Sequence, residues 1–112
     1  MGEEAATMDT LARLEATIKQ RLTASPDASY VAKLHARGLP VIARKLGEEA
    51  VEAVTAALSG NREELTAEAA DVLFHLLVLL AEKDIPLADV LAELERREGT
   101  SGLAEKAARS EP

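Results

Sequence analysis

The sequence predicts an all-α fold, built around an antiparallel helical hairpin in a chain of four to five helices. Apolar residues make up 47% of the 112 residues, whereas aromatic residues make up only 2%. Alanine and leucine supply much of the apolar content and favour helix, whereas a β-sandwich needs aromatic and β-branched residues to cover its sheets. Because so small a chain with so few large rings forms only a modest core, we expect it to dimerise into a helical bundle.

Apolar spacing and turn residues divide the first part of the chain. Leucine and isoleucine recur at helical spacing near the start, with Thr7 or Asp9 as the predicted N-cap. The segment TASPDAS, at residues 23–29, interrupts this pattern. A short helix is predicted to follow, from Ser29 to Arg37.

Two long helices come next, and a turn at Gly60 joins them. Pro40 fits the first turn of the earlier helix, because its fixed backbone angle and missing N–H are tolerated there. Asn61 can cap the later helix in a capping-box pattern with Glu64. We expect that helix to end near Lys83.

The last predicted helix opens at Pro86 and stops at Gly99. We therefore assign residues 1–98 to one all-α domain. Residues 99–112 show weak periodicity, and we interpret them as a C-terminal tail that packs on a partner or remains mobile.

Composition and charge exclude several classes of function. The chain has no cysteine, so we expect no disulfide framework, thiol nucleophile or cysteine zinc site. Its formal net charge of -7 disfavours nucleic acid as a partner, because phosphates would be repelled. No apolar run reaches the roughly 18 residues of a membrane span, and the N-terminus does not resemble a secretion signal. A cytoplasmic protein with no membrane contact is therefore expected.

Carboxylates interrupt the apolar faces of the two central helices at mirrored distances from the turn. Glu49 and Glu52 lie eleven and eight positions before Gly60, and Glu68 and Asp71 lie eight and eleven positions after it. Helices joined by so short a turn run antiparallel, so residues equally distant from the turn lie side by side. We therefore expect these four acids to converge.

Four converging carboxylates repel one another, and burying them is costly unless protons or cations neutralise them. Anionic oxygen ligands suit a hard cation, Mg²⁺ first and Mn²⁺ second. A di-iron site would need Glu-x-x-His on two helices, which the sequence lacks. The sequence thus predicts a metal site, although glutamate pairs on helices are more often solvated surface charge.

Five other residues are candidates with simpler alternatives. Glu48 could orient a water or lie on the surface, and Lys45 could reach a phosphate or pair with the acids. Tyr30 could stack on a base or fill the core. Lys33 lies on a helix face that is commonly solvated. His75, paired with Lys45 by distance from the turn, is more often a hydrogen-bonded core histidine than a ligand.

The acid spacing also resembles a known signature. Glu49-x-x-Glu52 and Glu68-x-x-Asp71, with fifteen residues between them, resemble the signature of the all-α nucleotide pyrophosphohydrolase superfamily. Within it, SYVAKLHARG at residues 29–38 and the GTSG tail resemble the phosphoribosyl-ATP pyrophosphatase family of histidine biosynthesis. The similar segments cover most of the chain beyond residue 28.

This resemblance implies a dimeric all-α fold, bound Mg²⁺, and hydrolysis of phosphoribosyl-ATP to phosphoribosyl-AMP and pyrophosphate. By position, it implies the metal ligands Glu49, Glu52, Glu68 and Asp71. It implies catalytic roles for Glu48, Glu49 and Glu52, with Glu48 either binding metal or orienting the attacking water. It implies the substrate contacts Tyr30, Lys33 and Lys45. His35 and Phe74 depart from the family pattern, where we expect an aliphatic residue and a tyrosine.

Two other functions stay open. A housecleaning nucleoside triphosphate pyrophosphohydrolase of the same superfamily would share the metal site but take noncanonical or excess triphosphates. A non-enzymatic helical dimer would use the acids as a structural cation site or as a partner surface. The mirrored spacing of the acids argues against this last alternative.

Overall fold

The structure, a computed structural model, describes residues 3–98, with side chains described from residue 10 onward. In this range it contains no strand and five helices: α1 (Glu3–Leu22), α2 (Tyr30–Arg37), α3 (Leu39–Ser59), α4 (Arg62–Glu82) and α5 (Leu87–Glu98). The predicted all-α class is confirmed. The prediction of a packed or mobile tail concerns residues 99–112, which lie outside the described residues.

Only the start of α1 differs clearly from the predicted helix ends. The helix begins at Glu3, so Thr7 and Asp9 lie inside it and not at its N-cap. The segment EEAATM contains alanine, glutamate and methionine, which are strong helix formers, and this lets the helix extend past both capping candidates.

The other helix ends follow the predicted turn residues. Ser29 Oγ accepts a hydrogen bond from the Ala32 N–H at 3.2 Å and so starts α2. Gly60 ends α3 in the left-handed region, at φ 80°, which glycine adopts without strain. Asn61 Oδ1 accepts from the Glu64 N–H at 2.9 Å and starts α4. The two-residue turn between α3 and α4 therefore forces these helices into an antiparallel hairpin.

The core lies where the first four helices meet. The largest fully buried side chains, each no more than 2% exposed, come one from each of these helices: Ile18, Leu34, Ile42 and Val78. The most extensive helix contact is between α3 and α4, and α1 packs mainly on α4. Among the described residues, no helix has both the length and the apolar content needed to cross a membrane.

A side chain of α1 holds the start of α5. The backbone N–H of Leu87 donates to Glu15 Oε2 at 2.7 Å, and Lys19 Nζ lies 3.6 Å from the same oxygen. Leu87 itself packs against the core. This contact supplies a cap for α5 that its own sequence lacks.

The hairpin leaves an apolar stripe of α3 uncovered. Val51, Val54 and Leu58 follow i, i+3, i+7 spacing and are 64%, 59% and 84% exposed. Residues at this spacing share one helix face. Leu65 and Leu73 of α4 are also exposed, at 37% and 48%. The apolar stripe, defined as Val51, Val54 and Leu58, is therefore a surface that a partner could cover.

Removing a core side chain should destabilise the fold far more than removing an exposed one. Ile42→Ala should lower the free energy of unfolding by about 2–5 kcal/mol, because it leaves a cavity among the four helices. Leu94→Ala, at a side chain that is 54% exposed, should change it by no more than about 0.5 kcal/mol. Urea unfolding followed by circular dichroism measures both, and equal losses would contradict this core.

Candidate active site

Three of the predicted acids converge across the hairpin. One carboxylate oxygen from each of Glu49, Glu68 and Asp71 lies within 4.8 Å of the other two. Glu49 comes from α3 and the other two from α4, so the register set by Gly60 and Asn61 creates the group. We call Glu49, Glu68 and Asp71 the acid cluster.

On the α4 side of the acid cluster, no described cation neutralises the negative charge of Glu68. Glu49 is buried, only 8% exposed, and Glu68 Oε1 is buried without a hydrogen-bond partner among the described residues. Burial raises the pKa of Glu68 above its ordinary value. The negative charges of Glu52, Glu49 and Asp71 raise the pKa of Glu68 further. Such a site is stabilised by a proton or a cation.

Glu52 lies at the edge of this cluster. It contacts Glu68 but is not one of the three acids that meet within 4.8 Å. Glu52 is exposed, as expected for a residue turned by about 60° around the helix from Glu49. A groove of about 200 Å³ opens beside it, lined by Glu52, Thr55, Ala56, Ser59, Glu64 and Glu68.

Lys45 brings positive charge to the α3 side of the acid cluster. Its Nζ lies 4.0 Å from Glu49 Oε2 and 3.6 Å from Glu48 Oε1. Glu48 is exposed and also pairs with Arg44, at 3.6 Å. Ion pairs this long and this exposed are weak, so Lys45 and Glu48 can both exchange partners when a charged ligand arrives.

Tyr30 is connected to the acid cluster through His75. The Tyr30 hydroxyl lies 3.0 Å from His75 Nε2, and His75 Nδ1 lies 2.8 Å from the backbone oxygen of Asp71. His75 is 6% exposed and is not among the group of acids that could hold a metal. It is thus a hydrogen-bonded core histidine, as the simpler interpretation of its sequence context predicted.

Lys33 is not brought to the acid cluster by any contact among the described residues. It is exposed on α2 and forms no ion pair with a described side chain. His35 has a partner that the sequence did not indicate, because its Nδ1 lies 2.7 Å from Glu82 Oε1. This contact ties the end of α2 to the end of α4, and only the tertiary fold brings the two residues together.

Comparison with known proteins agrees with this geometry. The family model for phosphoribosyl-ATP pyrophosphohydrolase matches residues 11–98. The chain belongs to this family. Its matched range contains α2 to α5 whole, most of α1, and every predicted site residue.

Relatives that bear the name phosphoribosyl-ATP pyrophosphatase resemble the chain over most of its length. The one from Novosphingobium aromaticivorans is 66% identical over 102 residues, 91% of this chain and 95% of the relative. The one from Rhizorhabdus wittichii is 68% identical over 100 residues, 89% of this chain and 94% of the relative. The one from Erythrobacter litoralis is 62% identical over 104 residues, 93% of this chain and all of the relative.

Glu68→Gln should stabilise the metal-free protein near neutral pH. Because the pKa of Glu68 is higher in the fold than its ordinary 4.5, the folded state holds this proton more tightly than the unfolded state. The contribution of Glu68 to stability is therefore largest at low pH and falls as pH rises from about 4.5 through the raised pKa. The amide carries no charge, so the advantage of the variant over wild type should grow from pH 5 to pH 7.

Urea unfolding in EDTA measures this difference. The matched control is Glu95→Gln, which removes a charge from the exposed part of α5. An advantage that stays constant between the two pH values, or that Glu95→Gln reproduces, would contradict the assigned environment of Glu68.

Proposed function

We propose that the protein hydrolyses phosphoribosyl-ATP to phosphoribosyl-AMP and pyrophosphate, the second step of histidine biosynthesis, in a reaction that depends on Mg²⁺. The observation that carries this proposal is the convergence of Glu49, Glu68 and Asp71 within 4.8 Å in a chain of the phosphoribosyl-ATP pyrophosphohydrolase family. Family membership supports the substrate, and the acid cluster supports the metal.

The residues present fit a hard divalent cation. Every donor is a carboxylate oxygen, and the buried Glu68 Oε1 has no partner among the described residues. Glu49, Glu68 and Asp71 would hold Mg²⁺, with Glu52 beside them; Mn²⁺ is a possible substitute. When bound, the ion would offset phosphate charge and favour attack of water on phosphorus.

The protein's own groups would position water and substrate. Water attacks the α-phosphorus, the bond to the bridging oxygen breaks, and pyrophosphate leaves with the electron pair. Glu52 is the accessible carboxylate next to the acid cluster, so it is suited to orient this water and take its proton; Glu48 is the alternative. Lys45 can turn from Glu48 to a phosphate oxygen. Tyr30 and Lys33 are further candidate substrate contacts.

We also propose that the protein is a homodimer that covers the apolar stripe of α3. The stripe is more than half exposed at each of its three residues, and burying it would favour association. A second copy supplies the same stripe in a two-fold arrangement. The cytoplasmic location inferred from the sequence stays a prediction.

Removing the charge of Glu49 in the acid cluster, or of the neighbouring Glu52, should abolish most of the activity. With Mg²⁺, wild type should release pyrophosphate from phosphoribosyl-ATP, and excess EDTA should stop the release. Glu49→Gln and Glu52→Gln should each lower kcat at least about 100-fold while circular dichroism remains helical, because each removes a carboxylate from the site. Glu95→Gln, on α5, should keep wild-type activity.

The substrate panel separates the alternatives. ATP and dUTP run beside phosphoribosyl-ATP in the same assay. Release from the simple triphosphates alone would favour a housecleaning pyrophosphohydrolase, and release from none would favour a non-enzymatic helical dimer. Full activity of Glu52→Gln would rule out the proposed role of Glu52.

A charge in the apolar stripe should disrupt the dimer. Val54→Asp should shift the protein from dimer to monomer in sedimentation equilibrium, because association would bury two unpaired carboxylates. Leu94→Asp, at an exposed leucine of α5, is the control and should remain dimeric. A wild-type monomer, or equal effects of the two variants, would contradict this interface.

A further inference from the structure

The aromatic side chains of the chain are gathered at one place next to the acid cluster. The sequence contains one tyrosine, one phenylalanine and no tryptophan. The Tyr30 and Phe74 rings stack with centroids 6.1 Å apart and planes 23° apart. The His75 ring meets both edge-on, with centroids 5.8 Å from Tyr30 and 5.1 Å from Phe74. Phe74 also packs against the core, so this ring cluster joins the core to the exposed Tyr30.

Hydrogen bonds define the tautomer of His75. A backbone carbonyl can only accept, so the 2.8 Å contact with the Asp71 oxygen places the proton on Nδ1. In this tautomer Nε2 has a lone pair, which accepts from the Tyr30 hydroxyl at 3.0 Å. The two hydrogen bonds that link Asp71, His75 and Tyr30 therefore fix the position of the Tyr30 ring relative to the acid cluster.

Tyr30 keeps an open surface although both its hydroxyl and one ring face have partners. Tyr30 is 47% exposed, whereas His75, whose ring meets the Tyr30 ring edge-on, is only 6% exposed. A rigid ring that is held on one side and open on the other is suited to stacking on a planar group. The part of a nucleotide with such a group is its base.

We propose that Tyr30 is the stacking surface for the purine base of the substrate, and that His75 is a positioning residue that holds Tyr30 there. The inference rests on the proposed function, which supplies a nucleotide to the site. The Tyr30 hydroxyl and the backbone oxygen of Asp71 contact opposite nitrogens of one imidazole, so the proposed base contact lies one side chain away from a residue of the acid cluster.

Steady-state kinetics with phosphoribosyl-ATP tests both roles. Tyr30→Ala should raise KM at least about fivefold, the usual effect of losing one base–aromatic stack. Tyr30→Phe keeps the ring but loses the hydroxyl, and should raise KM about three- to tenfold. In each variant kcat should stay within about twofold of wild type, because the chemistry at the acid cluster is untouched.

Two variants of His75 separate positioning from simple packing. In His75→Gln, the side-chain amide can take the place of Nε2 and reach Tyr30. In His75→Asn, the shorter amide can take the place of Nδ1 only. His75→Asn should raise KM as Tyr30→Phe does, and His75→Gln should restore much of the loss. The double variant Tyr30→Phe/His75→Asn should be no worse than the poorer single variant, because both break the same contact.

Intrinsic fluorescence gives a second readout without turnover. With one tyrosine and no tryptophan, the emission reports on Tyr30 alone. AMP with Mg²⁺ should quench it saturably, whereas ribose 5-phosphate with Mg²⁺ should not. The same titrations on N-acetyltyrosinamide correct for absorption by the base.

These outcomes separate failure of the inference from failure of the proposed function. If wild type does not hydrolyse phosphoribosyl-ATP, the proposed function fails. If wild type is active but Tyr30→Ala keeps its KM and AMP leaves the emission unchanged, only the stacking role is overturned. Additive effects in the double variant, or a fall in kcat at constant KM in His75→Asn, would overturn the positioning role. Tyr30→Phe tests the contact even if His75→Asn does not fold.

Discussion

The register between α3 and α4 is the constraint on which the site depends. Gly60 supplies the left-handed backbone, and Asn61 caps the next helix immediately. With only these two residues between the helices, Glu49 has to lie opposite Glu68 and Asp71. A shift of one residue in either helix would turn its acids by about 100° and separate the acid cluster.

Packing elsewhere in the molecule has to offset the repulsion that this register creates. The four largest fully buried side chains come from four different helices, so α1 and α2 pack against the hairpin. Polar contacts between residues that are distant in sequence add to this packing. Glu15 holds the start of α5, and His35 with Glu82 holds the end of α2 against α4. The hairpin can therefore keep like charges together without depending on its own contacts alone.

Local chemistry explains which features the sequence predicts well. Capping residues and glycine act within a few positions, so the ends of α2, α3 and α4 follow from Ser29, Gly60 and Asn61. The antiparallel register then follows by counting from the turn. The position of Glu52 is harder to predict. Counting residues from the turn gives its height along the helix, but not the direction in which its side chain points around the helix axis.

Contacts between distant segments are what the sequence does not reveal. Tyr30 and His75 are separated by 45 positions, and His35 and Glu82 by 47. Neither pair belongs to a periodic pattern, since each depends on how α2 lies across α4. The start of α1 is a different case, where a helix-forming segment extends past two plausible caps.

Thermal unfolding with increasing Mg²⁺ tests the central claim that the acid cluster is a cation site. Ligand that binds the folded state raises stability by RT ln(1 + [L]/Kd), about 2.7 kcal/mol at a hundredfold excess over Kd. Wild-type Tm should rise steadily with Mg²⁺, whereas Glu68→Gln should start from a higher metal-free Tm and gain much less. A wild-type Tm that does not change with Mg²⁺, or an equal rise in Tm in both proteins, would contradict the claim.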